Sequence, residues 1–385
     1  MRSKIGTALV LAALAALAVA APAHATFPGG NGKIAFSSDR SVTPSIHCDP
    51  GGNELQCADI WTMNADGTEQ ALLQSDGSED FFPPFPAWSP DGTQIAFTHD
   101  YRPFNHETDI FVMDANGGNL RPVTSNFEAY NFEPTWSPDG TQIAFQNGGA
   151  IYKTAFPPAG EPPTGLVVPS DAVQFDFGPD WSPDGTLVAF TDLTEFCSPR
   201  PPGCVGWANI DVVDPNSGQI RALTTGQDAF NENPSFSPDG RTVLFSRDLP
   251  RGDPPVGREV DLYTVPTSGG TATRLTDTPT FDEVEPVWSP DGTKIAFTGR
   301  EQGTLQSHVY TINADGTGRQ QLTSGSANDG QPDWQPIPRP PGPQRSDYKN
   351  AAQFCKAERD FLGDAAFTKK YGGGANAYGK CVSAK

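Results

Sequence analysis

The chain has 385 residues, of which 40 are Gly and 38 Pro, about a fifth of the total. It also carries 24 Phe, 8 Tyr and 7 Trp, although only 36% is hydrophobic and 19% charged. That aromatic content excludes a disordered chain, the density of turn-formers excludes a helical bundle, and a formal charge of −20 excludes a basic nucleic-acid footprint or long-range attraction to anionic lipid.

Arg2 and Lys4 precede an apolar run from Ile5 to Ala21, and Ala23-His24-Ala25 is a small-x-small cleavage site. This layout predicts a signal peptide over 1–25, cleaved before Thr26, and a mature protein without a membrane span in the cell envelope or secreted. All six Cys lie after the cleavage site. In an exported chain an even count reads as disulfides, and short loop closure favours Cys48–Cys57, Cys197–Cys204 and Cys355–Cys381.

Self-comparison then reveals a repeat. Trp88-Ser89-Pro90-Asp91-Gly92 recurs from Trp136, Trp181, Phe236 and Trp288, with a worn copy at Pro332-Asp333-Trp334-Gln335-Pro336. The anchoring aromatics are spaced 48, 45, 55, 52 and 46 residues apart. An apolar triplet of the Ile95-Ala96-Phe97 type follows each turn, and Ile34-Ala35-Phe36 supplies one more near the start. Alternating strands such as Asp59–Met63 come next, leading into Gly turns. Each unit therefore reads as four short strands: A (Pro-x-Trp-Ser), B (Ile-Ala-Phe), C (Asp-Ile-Phe-type) and D (Leu-Thr-type). Pro-Asp-Gly suits the A–B turn, because Pro fixes φ, Asp bonds its own backbone and Gly accepts positive φ.

One such sheet cannot bury both faces, whereas sheets packed around an axis can. The chain opens on a B strand and ends its repeats on an A strand, so residues 332–335 are expected to complete the sheet begun near Gly32. The predicted fold is all-β, a six-bladed β-propeller over 26–336. A Pro-rich linker follows over 337–345, then a small disulfide-stapled helical module over 346–385.

The Pro-x-Trp-Ser-Pro-Asp-Gly-x-x-Ile-Ala-Phe unit resembles the repeat of TolB-type propellers, which also occurs in prolyl-oligopeptidase-like enzymes. The resemblance covers about residues 27–336 and implies a propeller used for binding, scaffolding or catalysis. Only about 40 residues follow the ring, so the hydrolase domain of the peptidases, and peptidase activity, are not expected. The C-terminal stretch Asn376–Ser383 resembles a short module found on other exported bacterial proteins.

Antiparallel order sends the A–B and C–D turns to one face and the B–C and D–A connections to the other. The first face carries only tight turns, whose Asp residues serve turn geometry, since EF-hand ligand spacing is missing. The second bears long B–C insertions at 37–58, 98–108, 192–208 and 247–259. Three and five residues before each A-strand aromatic stand Glu133 and Asn131, Gly178 and Asp176, Asn233 and Asn231, Glu285 and Glu283, Gln331 and Asp329. Phe85 and Pro83 break this pattern in the first loop. The expectation is a polar ring at the channel mouth, made of Asn131, Glu133, Asp176, Asn231, Asn233, Glu283, Glu285 and Asp329. Its focused negative potential suits calcium or a cationic group of a partner, and Phe82, Phe127, Phe132, Phe175, Phe177 and Phe230 add stacking surface.

No His-Glu-x-x-His and no Gly-x-Ser-x-Gly motif occurs. His99 and His106, with Asp100, Glu107 and Asp109, share one insertion, but loop spacing of this kind does not define a zinc site. The reading is a monomeric, exported, non-enzymatic binding protein with a protein, peptide or glycan partner, no nucleic acid and no firm cofactor, calcium in the channel being a candidate only. The alternative is a propeller enzyme of lactonase or lyase type, whose channel carboxylates hold a metal.

Overall fold

The structure is a computed structural model that describes residues 29–40, 58–74, 84–102, 107–124, 130–158, 163–166, 174–197, 204–226, 229–250, 258–338, 348–362, 364–371 and 376–384. The signal segment 1–25 and Cys48 with Cys57 lie outside these residues. Among the described residues no helix is long and apolar enough to cross a membrane.

The first sheet joins the two ends of the repeat array. Strand Asp329–Pro338 lies beside Gly29–Ser38, which pairs with Asp59–Met63 and then Ala71–Gln74. Seven residue pairs, from Gly29↔Pro338 to Ser38↔Asp329, close this junction. The A strand supplied by the end of the chain and the B–D strands supplied by its beginning form repeat 1. Repeats 2 to 6 follow in order, with A strands Ala87–Trp88, Asn131–Trp136, Gln174–Trp181, Phe230–Phe236 and Phe281–Trp288. The closing strand also takes in Ile337 and Pro338, which the sequence assigns to the linker, because Gly30 and Gly29 still offer paired backbone there.

Six separate four-stranded sheets are expected, and this requires correction. Repeats 1, 2, 3 and 6 each form an independent four-stranded sheet, whereas repeats 4 and 5 are merged into one sheet of eight. The link is a single parallel bridge, Ala208↔Phe230, with the Ala208 N–H donating to Ala229 O at 3.2 Å. It exists because the C strand of repeat 4 is ten residues long, Cys204–Val213, and overhangs the entry to repeat 5.

The core lies between sheets. Phe36, Phe145, Phe190, Phe245 and Phe297, one from each of five B strands, are at most 1% exposed. Each apolar cluster of the repeat array draws on two neighbouring repeats, as where Ala144 and Ile151 of repeat 3 meet Trp181, Val188 and Phe190 of repeat 4. The Ser-Pro-Asp-Gly turns repeat one bonding pattern. Ser89 Oγ donates to Asp91 Oδ1 at 2.6 Å, the Thr93 N–H donates to the same oxygen at 3.0 Å, and Gly92 takes a φ of 68°. Partial burial pushes the Asp91 carboxyl up, but the donors from Ser89 and Thr93 outweigh it and hold the group below its usual range. These Asp oxygens are engaged in the turn itself.

The C-terminal module has three helices: α1 (Ala351–Leu362), α2 (Asp364–Tyr371) and α3 (Ala377–Ala384). The sequence reading of a small helical module over 346–385 is realised as these three helices. A Cys355–Cys381 disulfide ties α1 to α3 across a small core with Phe354 and Phe367. Cys197 and Cys204 stand directly opposite each other in the backbone register of their hairpin.

Trp334, fully buried in the closing strand, packs with Ile34, Phe36 and Met63 against Ala296 and Val309 of repeat 6. Trp334→Ala is expected to cost about 3–5 kcal/mol in urea unfolding. A loss below about 1 kcal/mol would show that ring closure contributes little.

Candidate functional site

Strand A of every repeat contains the tetrapeptide x-Pro-x-aromatic, and the six copies surround one central cavity of about 160 Å³. Its wall is Phe85-Pro86-Ala87-Trp88, Glu133-Pro134-Thr135-Trp136, Gly178-Pro179-Asp180, Asn233-Pro234-Ser235, Glu285-Pro286-Val287 and Gln331-Pro332-Asp333. The residue before each Pro has a left-handed backbone: φ is 43° at Phe85, 52° at Glu133, 60° at Gly178, 55° at Asn233, 52° at Glu285 and 48° at Gln331. A residue preceding Pro is normally held extended, so five non-Gly side chains in this state mark a strained ring. Phe85, which looks like an exception in sequence, belongs to it.

The cause is a β-bulge. In repeat 3, Phe132 pairs with Gln146 and Thr135 with Ala144, three steps on strand A against two on strand B. The same shift occurs at 177–180, 232–235 and 284–287. The bulge turns the residue before Pro towards the cavity and reverses the strand's phase, with direct consequences for the predicted ring.

Residues three before the aromatic, Glu133, Asn233 and Glu285, line the cavity beside Gly178 and Gln331. Residues five before it do not. After the phase reversal they share a face with the A-strand aromatic, which packs against the preceding repeat. Asn131, Asp176, Asn231, Glu283 and Asp329 are all at most 3% exposed. Asn131 Nδ2 donates to Asp109 Oδ1 of repeat 2 at 3.0 Å, and Asn231 Nδ2 donates to Ala208 O of repeat 4 at 2.9 Å. Thr276 Oγ1 donates to Glu283, and Ser38 Oγ and the Arg40 guanidinium donate to Asp329 Oδ1 at 2.6 and 2.7 Å. Asn131, Asn231 and Glu283 clamp neighbouring repeats together, while the Asp329 side chain bonds within repeat 1 and its backbone N–H reaches Ser307 O of repeat 6 at 2.9 Å; Asp176 is the exception considered below. The predicted ring is thus two structures, a cavity wall and a buried clamp.

Hydrogen bonds run around the wall from repeat to repeat. The Gly178 N–H donates to Glu133 Oε2 at 2.6 Å, and Gln331 donates to Glu285 through its backbone N–H and its Nε2, each at 3.1 Å. Asp180 Oδ2 accepts the Phe236 N–H at 2.7 Å, and Asp333 Oδ2 accepts the Trp88 N–H at 2.6 Å. Sequence reasoning missed Asp180 and Asp333; their signal is the position between Pro and Trp in the same tetrapeptide.

Removal from bulk water, reinforced by neighbouring acids, pushes these carboxyls up. Glu133 rises to about 7, chiefly by desolvation with Glu285 and Glu232 adding, against the Gly178 donor. Asp180 rises to about 8 and Asp333 to about 7, again by desolvation first. Burial likewise lifts Glu283 to about 6.

Among the described residues no group of three or more His, Cys, Asp or Glu side chains is placed to hold a metal ion. Glu133, Asp176 and Glu283 are not brought together as one calcium set. His99 is buried against Phe111, while His106, Phe82, Phe127 and Pro83 lie outside the described residues. Of the aromatic set, Phe175 is 45% exposed, Phe132 stacks on Tyr130, and Phe177 and Phe230 are half-buried.

The raised acids fix a pH dependence. The folded chain holds their protons at pH values where the unfolded chain, with ordinary carboxyls near 4, has lost them. Folding therefore takes up protons between about pH 4 and pH 8, and these groups lower stability as pH rises through that window. Asp180→Asn keeps a carbonyl oxygen for Phe236 and removes the charge. It is expected to leave stability at pH 5 nearly unchanged and to raise it at pH 9 by about 1 kcal/mol or more, read from paired denaturant titrations. Equal effects at both pH values would contradict the raised carboxyl.

Against known proteins, the family model of the TolB beta propeller domain matches residues 84–254 and 172–339. The protein named Uncharacterized peptidase YuxL of Bacillus subtilis (strain 168) is 36% identical over 91 residues, 24% of this chain and 13% of that protein. The Tol-Pal system protein TolB of Nitrosospira multiformis is 38% identical over 82 residues, 21% of this chain and 16% of its own. This chain thus matches less than a fifth of the length of either relative. The crystal structure of TolB from Acinetobacter baumannii superposes with a TM-score of 0.59 at 23% identity, covering 79% of this chain and 67% of that one. At that identity the likeness establishes the fold.

Proposed function

The chain belongs to the TolB beta propeller domain family, and on that premise we propose that it is an exported, non-enzymatic binding protein. It recognises a protein, peptide or glycan of the cell envelope through the loop-bearing end of the ring. The observation that carries this reading is the ring of six x-Pro tetrapeptides with left-handed backbone before Pro, which presents Glu133, Asn233, Glu285 and Gln331 to one cavity on a strained but cross-bonded backbone. Strain of this kind persists where the surrounding structure over-determines it, and it clusters at ligand sites. Export rests on the leader segment read in the sequence.

The two polar sets divide the work. The cavity-lining side chains are the contact residues, while Asn131, Asn231, Glu283 and Asp329 hold the wall in register from behind. A rigid frame lowers the ordering cost of binding, and the B–C connections at the same end supply variable surface. The channel donors are carboxylates and amides spread over different repeats, and those already bonded to neighbouring backbone serve positioning better than metal-dependent catalysis. Binding therefore ranks above a lactonase or lyase.

The test is affinity capture from a native cell-envelope extract with the mature chain as bait. A partner retained by the unmodified chain is expected to be held at least tenfold more weakly by the Glu133→Gln, Asn233→Ala, Glu285→Gln triple variant. The same partner lost only on substitution at the tight-turn end, at Asp66 and Asp315, would overturn the reading.

A further inference from the structure

Repeat 4 departs from its siblings at one place. In its sheet Asp176 and Asp192 are directly opposite, Asn209 is the next partner of Asp192, and Asp211 pairs with Phe190 two residues away. Strand alternation puts all of these on the face that packs against repeat 3. Asp176 is fully buried, and among the described residues neither of its carboxylate oxygens has a hydrogen-bond partner. The equivalent Asn131, Asn231, Glu283 and Asp329 are all bonded. At the position of Asp211 the other repeats place an aromatic: Trp61, Phe111, Tyr152, Tyr263 and Tyr310. Repeat 4 thus replaces a packing ring with a third carboxylate beside an unsatisfied one. A buried, unpaired acid is expensive and calls for a partner.

The neighbouring edge of repeat 3 packs closely on this seam through a glycine turn and supplies aromatic surface. Its B–C connection is the two-residue turn Gly148-Gly149, both with positive φ. The Gly149 carbonyl accepts the Asp176 N–H at 2.9 Å, and a Cβ on Gly149 would stand 2.7 Å from the Phe175 ring. Phe175 is 45% exposed, and Tyr130, 46% exposed, is stacked parallel to Phe132 at the same end of repeat 3.

We propose that the seam between repeats 3 and 4 is an acidic socket, formed by Asp176, Asp192 and Asp211 and edged by Phe175, for the guanidinium or ammonium side chain of a basic peptide segment. The proposal rests on the binding reading above and gives it a partner chemistry and a second place of contact. The three acids are not placed to share one metal ion, whereas a guanidinium spreads five donors over a plane. It can bridge separated carboxylates and still lie on an aromatic face.

The experiment uses the mature chain and a blocked Gly-Arg-Gly peptide, with its neutral citrulline counterpart as control, followed by NMR titration. The Arg peptide is expected to bind at least tenfold more tightly than the citrulline peptide. Asp176→Asn and Asp211→Asn, which remove repulsion and so leave the fold intact, should each weaken it at least fivefold. Leu305→Ala, an exposed change remote from the seam, should leave it unaltered. Equal binding by Asp176→Asn and the unmodified chain would overturn the proposal, as would equal binding of the two peptides. So would an Asp176-dependent rise in melting temperature with calcium alone, which would make this a metal site. Arg200→Ala is included because the chain carries a cation of its own in the same repeat's insertion. Binding that appears only in that variant would assign the socket to Arg200 and likewise overturn the proposal. Envelope capture by the ring is read separately, so failure here leaves that reading standing.

Discussion

The whole arrangement depends on the pairing of the last A strand with the first B strand. Four-stranded sheets of this size expose an apolar face on each side, and every apolar cluster here is completed by the next repeat. An open array would leave two such faces in water. Pairing 329–338 with 29–38 removes both ends at once, and Trp334 then fills the same role as Trp88, Trp136 and Trp181. The bonds from Trp88 N–H to Asp333 and from Gln335 Nε2 to Gly92 O secure the joint from the side of repeat 2.

Closure also explains why the central wall tolerates its strain. Five non-Gly residues in left-handed conformation before Pro would each relax in an isolated hairpin. Here the N–H groups of Glu133, Asn233 and Gln331 are taken by Thr98, Thr191 and Thr298 of the preceding repeats. A relaxed bulge would break an inter-repeat bond as well as its own geometry. The cavity is in this sense a product of the ring, and its shape is fixed by residues that never face it.

Most of the fold was legible because the repeat is carried by turn chemistry and aromatic spacing. Pro-Asp-Gly fixes a turn locally, and Ile-Ala-Phe fixes the strand after it, so tertiary context had little to add. The candidate site was legible only in part. Counting back by twos from Thr135 puts Glu133 and Asn131 with it on the face opposite Trp136, which is right for a regular strand. The bulge at Glu133 inserts one residue and moves Asn131 to the face of Trp136. No local signal short of Pro134 recurring in every repeat announces it. The merging of repeats 4 and 5 was hidden for another reason: it depends on the length of the Cys204–Val213 strand, whose start falls inside an insertion.

The same phase reversal accounts for how the protein distributes its acids. Of the 46 acidic residues, several fall into three distinct environments in the described fold. Turn acids such as Asp91 and Asp139 are surrounded by donors and sit below their usual range, net of an opposing desolvation. Wall acids such as Glu133, Asp180 and Asp333 accept one backbone donor each across a repeat boundary and are pushed up. Asp176 has the burial of the clamp set without its donors, and desolvation with Asp192 and Asp211 nearby lifts it to about 7. The first two environments are explained by the architecture alone, since the turns and the ring need those bonds. The third serves no turn and no clamp, and its neighbour Asp211 displaces an aromatic that would have packed. A structural requirement would have kept that ring in place, so no turn, clamp or core contact among the described residues accounts for the carboxylate there.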